Sequence, residues 1–287
     1  MRTLFSLLVL LCGLSLMAQK ESPLTGDPAE TIHNSPGFGI SAPGQPSNIQ
    51  ERGILVYENW PLVNSPGTGP GGADESLLQD STLSMGTFGF AHSNAGNFRV
   101  ADDFTVPAGG WNIDSITFYA YQTGSTTTST ITSLNLQIWN GQPGQMGSSV
   151  VWGDTTTNVL SATTWSGIYR GLLSAPGATN RPIMANTAAV GTFLPAGTYW
   201  LDWRCGGSLG SGPWAPPITI NGQTTTGNAI QFNGTAWGPL NDVGQQGLPF
   251  AIETAISVPT LSQWGLFGFI ALLALGGLMF IRRTRLA

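Results

Sequence analysis

Glycine and proline divide most of this chain into short runs that favour β-strands. The sequence holds 39 glycines and 19 prolines in 287 residues, and the runs between residues 53 and 257 are rich in valine, isoleucine, threonine and aromatic residues. Such residues favour strands, whereas glycine and proline favour the turns between them. No stretch here keeps helical spacing over the ten residues that a crossover helix between parallel strands requires. The pattern therefore predicts an all-β fold.

The expected strands begin at Gly53. Leu134, Leu136 and Ile138 alternate with polar neighbours, which predicts a strand with one buried and one solvated face. We therefore expect an antiparallel β-sandwich of jelly-roll or immunoglobulin-like kind. The expected strands are 105–106, 113–121, 133–139, 150–152, 168–169, 191–194, 198–203, 218–220, 229–232 and 250–256, with a helical turn or two in 77–83.

A short pattern occurs twice in this region. Pro107-Ala108-Gly109 and Pro195-Ala196-Gly197 each follow one expected strand and precede another that begins near an aromatic residue. Proline presets its φ angle and glycine accepts conformations that a Cβ forbids, so both triplets are expected to be corners. A recurrent turn and an internal duplication both explain the repetition.

Charge and cysteine content restrict the function. All fifteen acidic residues lie between Gln19 and Ser257 together with only six basic ones, which gives this segment a formal charge of −9. Nucleic acid is therefore not expected as a partner, because phosphate contacts need clustered lysine and arginine. Cys205 is the one cysteine of this segment, so its stability is expected to come from burial rather than from a disulfide.

Two features suggest ligands. Asp102 and Asp103 open an expected strand and provide oxygen ligands for calcium, although no calcium-binding loop motif surrounds them. Turn stabilisation by these carboxylates is the alternative. Nine tryptophans lie between residues 53 and 257, and Trp214, which stands among prolines, is the best candidate for an exposed loop residue that binds carbohydrate.

Catalytic motifs are not found in the sequence. His33 and His92 stand outside any nucleophile, metalloprotease or zinc-ligand motif, and no phosphate-binding glycine loop occurs. Pairs of carboxylates, such as Asp102 or Asp103 with Asp202 or Glu253, leave a glycosidase open. We expect no enzymatic activity and no cofactor other than calcium.

The two ends of the chain predict export. Residues 1–18 have the Arg2, apolar run and Ala18 of a secretory signal peptide, so the mature chain is expected to begin at Gln19. Lipidation of Cys12 is the lesser alternative, because leucine precedes it where a small residue is needed. Residues 19–52, rich in proline, glycine, serine and asparagine, predict a disordered leader.

The C-terminal segment, 258–287, combines a polar motif, an apolar run and a basic tail. Residues 264–281 predict a transmembrane helix, since eighteen residues span about 27 Å. Arg282, Arg283 and Arg285 are then expected in the cytosol, which keeps the region before the helix outside. The motif residues are Val258, Pro259, Thr260, Leu261, Trp264 and Gly265.

This C-terminal arrangement resembles the IPTLxxWG-CTERM sorting signal of Gram-negative bacteria, with valine in place of isoleucine. The resemblance implies recognition in the inner membrane by an exosortase, a cysteine transpeptidase-like enzyme that cuts near the motif and passes the protein to the cell surface. An ordinary tail anchor is the alternative, in which Pro259 and Trp264 only cap the helix and place it at the membrane interface.

The region between the two ends also resembles a module of known type. Segments 101–107, 136–141, 151–154 and 197–203 resemble a β-sandwich module of bacterial secreted and surface proteins, which implies surface or extracellular-matrix use without a known activity. We therefore expect a non-enzymatic protein that is held at the inner membrane with its folded region in the periplasm, and that reaches the surface after processing. A carbohydrate-binding module is the first alternative, with extracellular polysaccharide as partner, and a glycan-active hydrolase is the second.

Overall fold

The computed structural model describes residues 26–28 and 53–255, together with Phe267, Ile270, Leu272 and Leu273. Within these residues the chain is mostly β-strand, which confirms the all-β prediction. A 3₁₀ turn spans Pro70–Gly72 and a single helical turn, α1, spans Asp80–Leu83. The strands are β1 (Gly26–Pro28), β2 (Ile54–Asn59), β3 (Asp74–Leu78), β4 (Thr87–Ala91), β5 (Arg99–Val106), β6 (Trp111–Ala120), β7 (Ile131–Trp139), β8 (Val150–Asp154), β9 (Leu160–Leu172), β10 (Pro182–Leu194), β11 (Gly197–Gly207), β12 (Trp214–Ala215), β13 (Ile230–Phe232), β14 (Trp237–Pro239), β15 (Asn241–Asp242), β16 (Gly244–Gln245) and β17 (Phe250–Thr254).

Two six-stranded sheets form a sandwich-like body. The first sheet has the order β2-β17-β6-β10-β9-β3, and the second has the order β14-β13-β5-β11-β7-β8. Their facing sides supply one large apolar core. At its centre the Trp203 ring, from the second sheet, stacks on Phe118, from the first, with 4.5 Å between ring centroids. Burial of these inner faces is the main source of stability, since Cys205, the one cysteine among the described residues, forms no disulfide.

The two Pro-Ala-Gly triplets are corners between the sheets. The first lies between β5 and β6, and the second between β10 and β11, so each carries the chain from one sheet to the other. The corners are adjacent, because Gly197 pairs with Val106 in the second sheet and Leu194 pairs with Trp111 in the first. The repeated sequence pattern therefore corresponds to a repeated structural position.

Two features of the strand pairing differ from the prediction. β3 pairs with β9 in parallel, so the sandwich is not wholly antiparallel. The long connection from β3 to β9 makes this direction accessible without a crossover helix. In addition, Gly26–Pro28 lies within the segment expected to be a disordered leader, yet it forms β1 and pairs with β4. Backbone pairing to an open strand edge needs no hydrophobic periodicity, which is why the sequence pattern did not indicate this strand.

Other differences concern strand extent. Residues 218–220 are not a strand; Ile218 and Thr219 instead donate backbone hydrogen bonds to Gly247 and Pro61. The helical turn of 77–83 is confined to α1, and Leu77 and Leu78 belong to β3. The strands β3, β4, β12, β14, β15 and β16 were not expected from the sequence.

Several predictions fall on residues that the structure does not describe. The signal peptide, the sorting motif and the basic tail lie outside the described residues, as do most of the leader and of the expected helix 264–281. Phe267, Ile270, Leu272 and Leu273 of that helix are described as helical. Among the described residues no helix has the length and apolar character needed to cross a membrane.

Candidate functional site: an aromatic cleft on the second sheet

The outer face of the second sheet carries an unusual set of side chains. Leu201 and Trp203 of β11 point into the core, so Trp200 and Asp202, which alternate with them, lie on the outer face. Trp200 is directly opposite Trp139 of β7 and belongs to a separate apolar cluster with Ile230. Trp200 and Trp203, three residues apart on one strand, therefore point to opposite faces of the sheet.

A cleft of about 750 Å³ opens over this face. Trp200 and Ile230 line it from the sheet, and the β13–β14 hairpin contributes Phe232 and Trp237. The 140–149 loop between β7 and β8 forms the facing wall. At Gly144, which has a φ of 82°, a Cβ would lie only 2.9 Å from the Trp237 ring, so glycine is needed for this close approach.

Arg99 connects the hairpin to the sheet. Its guanidinium carbon lies 4.5 Å from the ring centroid of Phe232 and 5.2 Å from that of Trp237. On its other side, Arg99 Nη1 lies 3.3 Å from Asp202 Oδ2 and donates a 3.2 Å hydrogen bond to Gln137. Cation–π contacts and the ion pair together orient the two aromatic rings at the mouth of the cleft.

Asp202 is buried beneath these groups. Its Oδ2 also accepts a 3.2 Å hydrogen bond from the Trp139 indole, while Oδ1 has no hydrogen-bond partner among the described residues. Burial raises the pKa of Asp202 to about 7, and the Arg99 charge and the Trp139 N–H oppose this increase. The ion pair with Arg99 and the indole hydrogen bond are thus the contacts that favour the charged form of this buried carboxyl.

The face that alternation predicted to be solvated is thus partly covered. Asn135 is buried, since it donates a 2.7 Å hydrogen bond to the Thr157 carbonyl and accepts one from Arg204. Gln137 accepts the hydrogen bond from Arg99. The prediction of a solvated face is wrong at Asn135, because neighbouring loop and arginine groups replace water there.

Asp102 and Asp103 do not converge. They are consecutive residues of β5, so their side chains point to opposite faces of the sheet. Asp102 is directed inward, where its carboxylate accepts backbone hydrogen bonds from Leu248 at 2.7 Å and Asp103 at 2.9 Å, and a third bond from Asn59. Burial raises the pKa of Asp102 to about 7, against the effect of these donors. Asp103 lies outside and accepts a 2.7 Å hydrogen bond from Asn228.

Two further acids, Asp154 and Asp242, stabilise loops. Asp154 accepts backbone and hydroxyl hydrogen bonds from Thr156 and Thr157, and these bonds lower its pKa. Asp242 accepts backbone hydrogen bonds from Gly86 and Thr87. In the described part of the chain no group of three or more acidic, histidine or cysteine side chains is arranged to hold a metal ion. Calcium binding through Asp102 or Asp103 stays a prediction.

Trp214 is not a loop residue. It lies in β12, where its backbone exchanges hydrogen bonds with Tyr121, and its partly buried ring packs against a second apolar cluster. The indole N–H is 3.3 Å from the Ser211 hydroxyl. The prediction that Trp214 is an exposed loop tryptophan is therefore wrong, because pairing with β4 draws it onto the body of the fold.

Of the carboxylate pairs considered for catalysis, Asp103 and Asp202 share the outer face of the second sheet, but Asp202 is buried there and paired with Arg99. Asp102 and Asp202 lie on opposite faces of the second sheet, and Glu253 lies on β17 of the first. Cys205 is fully buried, and this burial raises the pKa of its thiol to about 12, which keeps the thiol protonated and unreactive.

The sequence patterns predicted a strand at 229–232 but not the hairpin that brings Phe232 and Trp237 together. Its turn contains Asn233-Gly234, and Asn233 Oδ1 accepts backbone hydrogen bonds from Thr235 and Ala236. An Asn-Gly pair between two short apolar runs is a sequence signal for a hairpin. The loop observed is four residues long, 233–236, and it places Phe232 opposite Trp237, a register that the Asn-Gly pair alone does not give.

The chain matches no protein-family model, no curated protein and no solved structure.

Proposed function

We propose that this chain is an exported surface protein whose folded region binds polysaccharide without modifying it. The observation that carries the proposal is the cleft of about 750 Å³ lined by Trp200, Phe232 and Trp237. Ligand sites are typically concave, of 300 to 1,000 Å³, and lined by aromatic groups with a few polar groups between them. Flat aromatic rings suit the apolar faces of sugar rings, and the surrounding amides suit their hydroxyl groups.

Export and surface sorting are supported by the two ends of the sequence. The signal peptide, the sorting motif with its apolar run and the basic tail together suit processing by an exosortase and release at the cell surface. The double variant Pro259→Ala, Trp264→Ala is expected to stay full-length and membrane-bound. Mass spectrometry of the protein tests this, and a C-terminus trimmed as in the wild type contradicts the sorting proposal.

We also propose that the fold is a jelly-roll or immunoglobulin-like sandwich. The two face-to-face six-stranded sheets, with corners between them, support this description. Because a fold does not fix a function, the binding proposal rests on the cleft and not on this description.

A glycan array tests the binding proposal directly. The full-length protein, purified in a polyoxyethylene detergent that carries no sugar, is expected to bind at least one polysaccharide. Trp237→Ala is expected to remove this binding, whereas Trp60→Ala is the matched control. Trp60 is partly exposed and packs on Tyr119 of the first sheet, far from the cleft. Equal binding by both variants contradicts the site, and release of reducing sugar by the wild type contradicts the non-enzymatic assignment.

A further inference from the structure

The cleft combines aromatic rings with amide side chains. Four amides line it, Gln142 and Gln145 from the 140–149 loop and Asn228 and Gln245 from the opposite side. Each amide offers both hydrogen-bond donors and an acceptor, as sugar hydroxyls do. Among the described residues, those that line the cleft include no charged side chain.

The nearest positive charge is not available to a ligand. The Arg99 guanidinium is paired with Asp202 at 3.3 Å and lies against Phe232 and Trp237, and its side chain is only 14% exposed. An anion that entered the cleft would have to compete with a buried carboxylate for this group, at a desolvation cost.

Negative charge lies at the edge of the same cleft. Asp103 is held beside the lining residue Asn228 by a 2.7 Å hydrogen bond. The segment between residues 19 and 257 also carries a formal charge of −9. Both features repel an acidic polymer during its approach, and most strongly at low salt.

We propose that the cleft selects uncharged polysaccharides and excludes acidic ones. This inference rests on the proposed glycan binding and names the class of ligand. Neutral sugars gain stacking on the aromatic rings and hydrogen bonds to the amides. A carboxylate or sulfate group would lose its water in the cleft and gain no free cation in return.

The experiment compares one polymer in two charge states. Binding of the full-length protein is measured on unmodified and carboxymethylated forms of the same neutral polysaccharide, for glucan, galactan, mannan, xylan and N-acetylglucosamine polymers. We expect binding to at least one unmodified polymer and at least about tenfold weaker binding to its carboxymethylated form. Trp237→Ala is expected to weaken the binding about thirtyfold, as loss of a central aromatic contact does. Trp60→Ala should bind as the wild type does.

A second variant gives a gain of function that misfolding cannot imitate. Gln142→Lys places a cation in the cleft and is expected to raise affinity for the carboxymethylated polymer. If the wild type binds the acidic polymer as well as the neutral one and loses both with Trp237→Ala, the charge selection is wrong while glycan binding stands. If no polymer binds, or if Trp237→Ala binds normally, the cleft is not a glycan site and both proposals fail.

Discussion

The buried imidazole of His92 makes the stability of this fold sensitive to acid. His92 directly follows β4 and is fully buried, and neither ring nitrogen has a hydrogen-bond partner among the described residues. Burial lowers its pKa from 6.5 to about 4, and the nearby backbone of Phe90 and Pro213 opposes this decrease only in part. The imidazole is therefore neutral in the folded protein over a pH range where it is protonated in the unfolded chain.

The sign and size of the effect follow from this difference. Between pH 6.5 and 4 the unfolded chain binds a proton that the folded chain does not. The contribution of His92 to the free energy of unfolding is thus fully present above pH 6.5 and is lost as the pH falls towards 4. A difference of 2.5 pKa units corresponds to a loss of about 3 kcal/mol over this range.

Two buried carboxyls act in the opposite direction. The pKa values of Asp102 and Asp202 are raised from 3.8 to about 7, so their contribution is fully present below pH 3.8 and is lost as the pH rises through 7. The free energy of unfolding of the wild type therefore changes with pH through all three groups together. His92→Phe keeps a planar ring and removes only the titrating group, so the difference between variant and wild type isolates His92.

Urea unfolding at constant ionic strength, from pH 4 to pH 8, measures this difference. We expect the free energy of unfolding of His92→Phe relative to the wild type to be constant above pH 7. It should then rise by about 3 kcal/mol as the pH falls to 4. Two parallel profiles over the whole range would refute the assignment of acid sensitivity to the buried imidazole.

Further predictions concern the core, the ion pair and calcium. Trp203→Ala should lower the free energy of unfolding by about 3–5 kcal/mol, because it removes the ring stacked on Phe118. Denaturant titration measures the loss, and a loss below about 1 kcal/mol would contradict the central packing of this ring. Asp202→Ala should lower the free energy of unfolding by about 3 kcal/mol, because it leaves Arg99 without its carboxylate partner. Asp202→Asn, which keeps a hydrogen-bond acceptor, should lower it less. Equal losses for the two variants would show that the hydrogen bonds to Asp202 do not contribute to stability. Calcium bound through Asp102 or Asp103 should raise the melting temperature in millimolar calcium relative to excess EDTA, and Asp103→Asn should weaken that rise. Coincident melting curves would refute the metal site and leave the two carboxylates as turn-stabilising groups.

Sequence patterns predicted the strands that alternate without interruption. Leu134, Leu136 and Ile138 are buried as expected, because one face of β7 packs on the core. The long strands β9 and β10 were predicted only in part, at 168–169 and 191–194. Gly167 and Gly191 have positive φ angles, and both lie where the register between strands shifts. A β-bulge at glycine breaks the sequence pattern without ending the strand, so the pattern alone suggests a turn.

The cleft depends on pairings that no local pattern contains. Arg99, Trp139, Asp202 and Trp237 come from four different strands, and they meet only because β5 and β7 flank β11 while the hairpin extends the same sheet. Tryptophan content suggested a sugar-binding surface, but the position of the surface depends on strand order. Strand order in a sandwich arises from long-range contacts, which is why the sequence pointed to Trp214 instead.

The last described strand determines how the body would carry a mechanical load. β17 lies between β2 and β6, is antiparallel to both, and ends at Thr254 beside Ile54, the first residue of β2. A pull on the chain beyond residue 255 therefore acts along β17 and loads the hydrogen bonds on its two sides together rather than one at a time. Ligand held on the second sheet would transmit tension to this strand across the apolar core. Under the proposed surface attachment, this shear geometry would help the body to hold a bound polymer against flow.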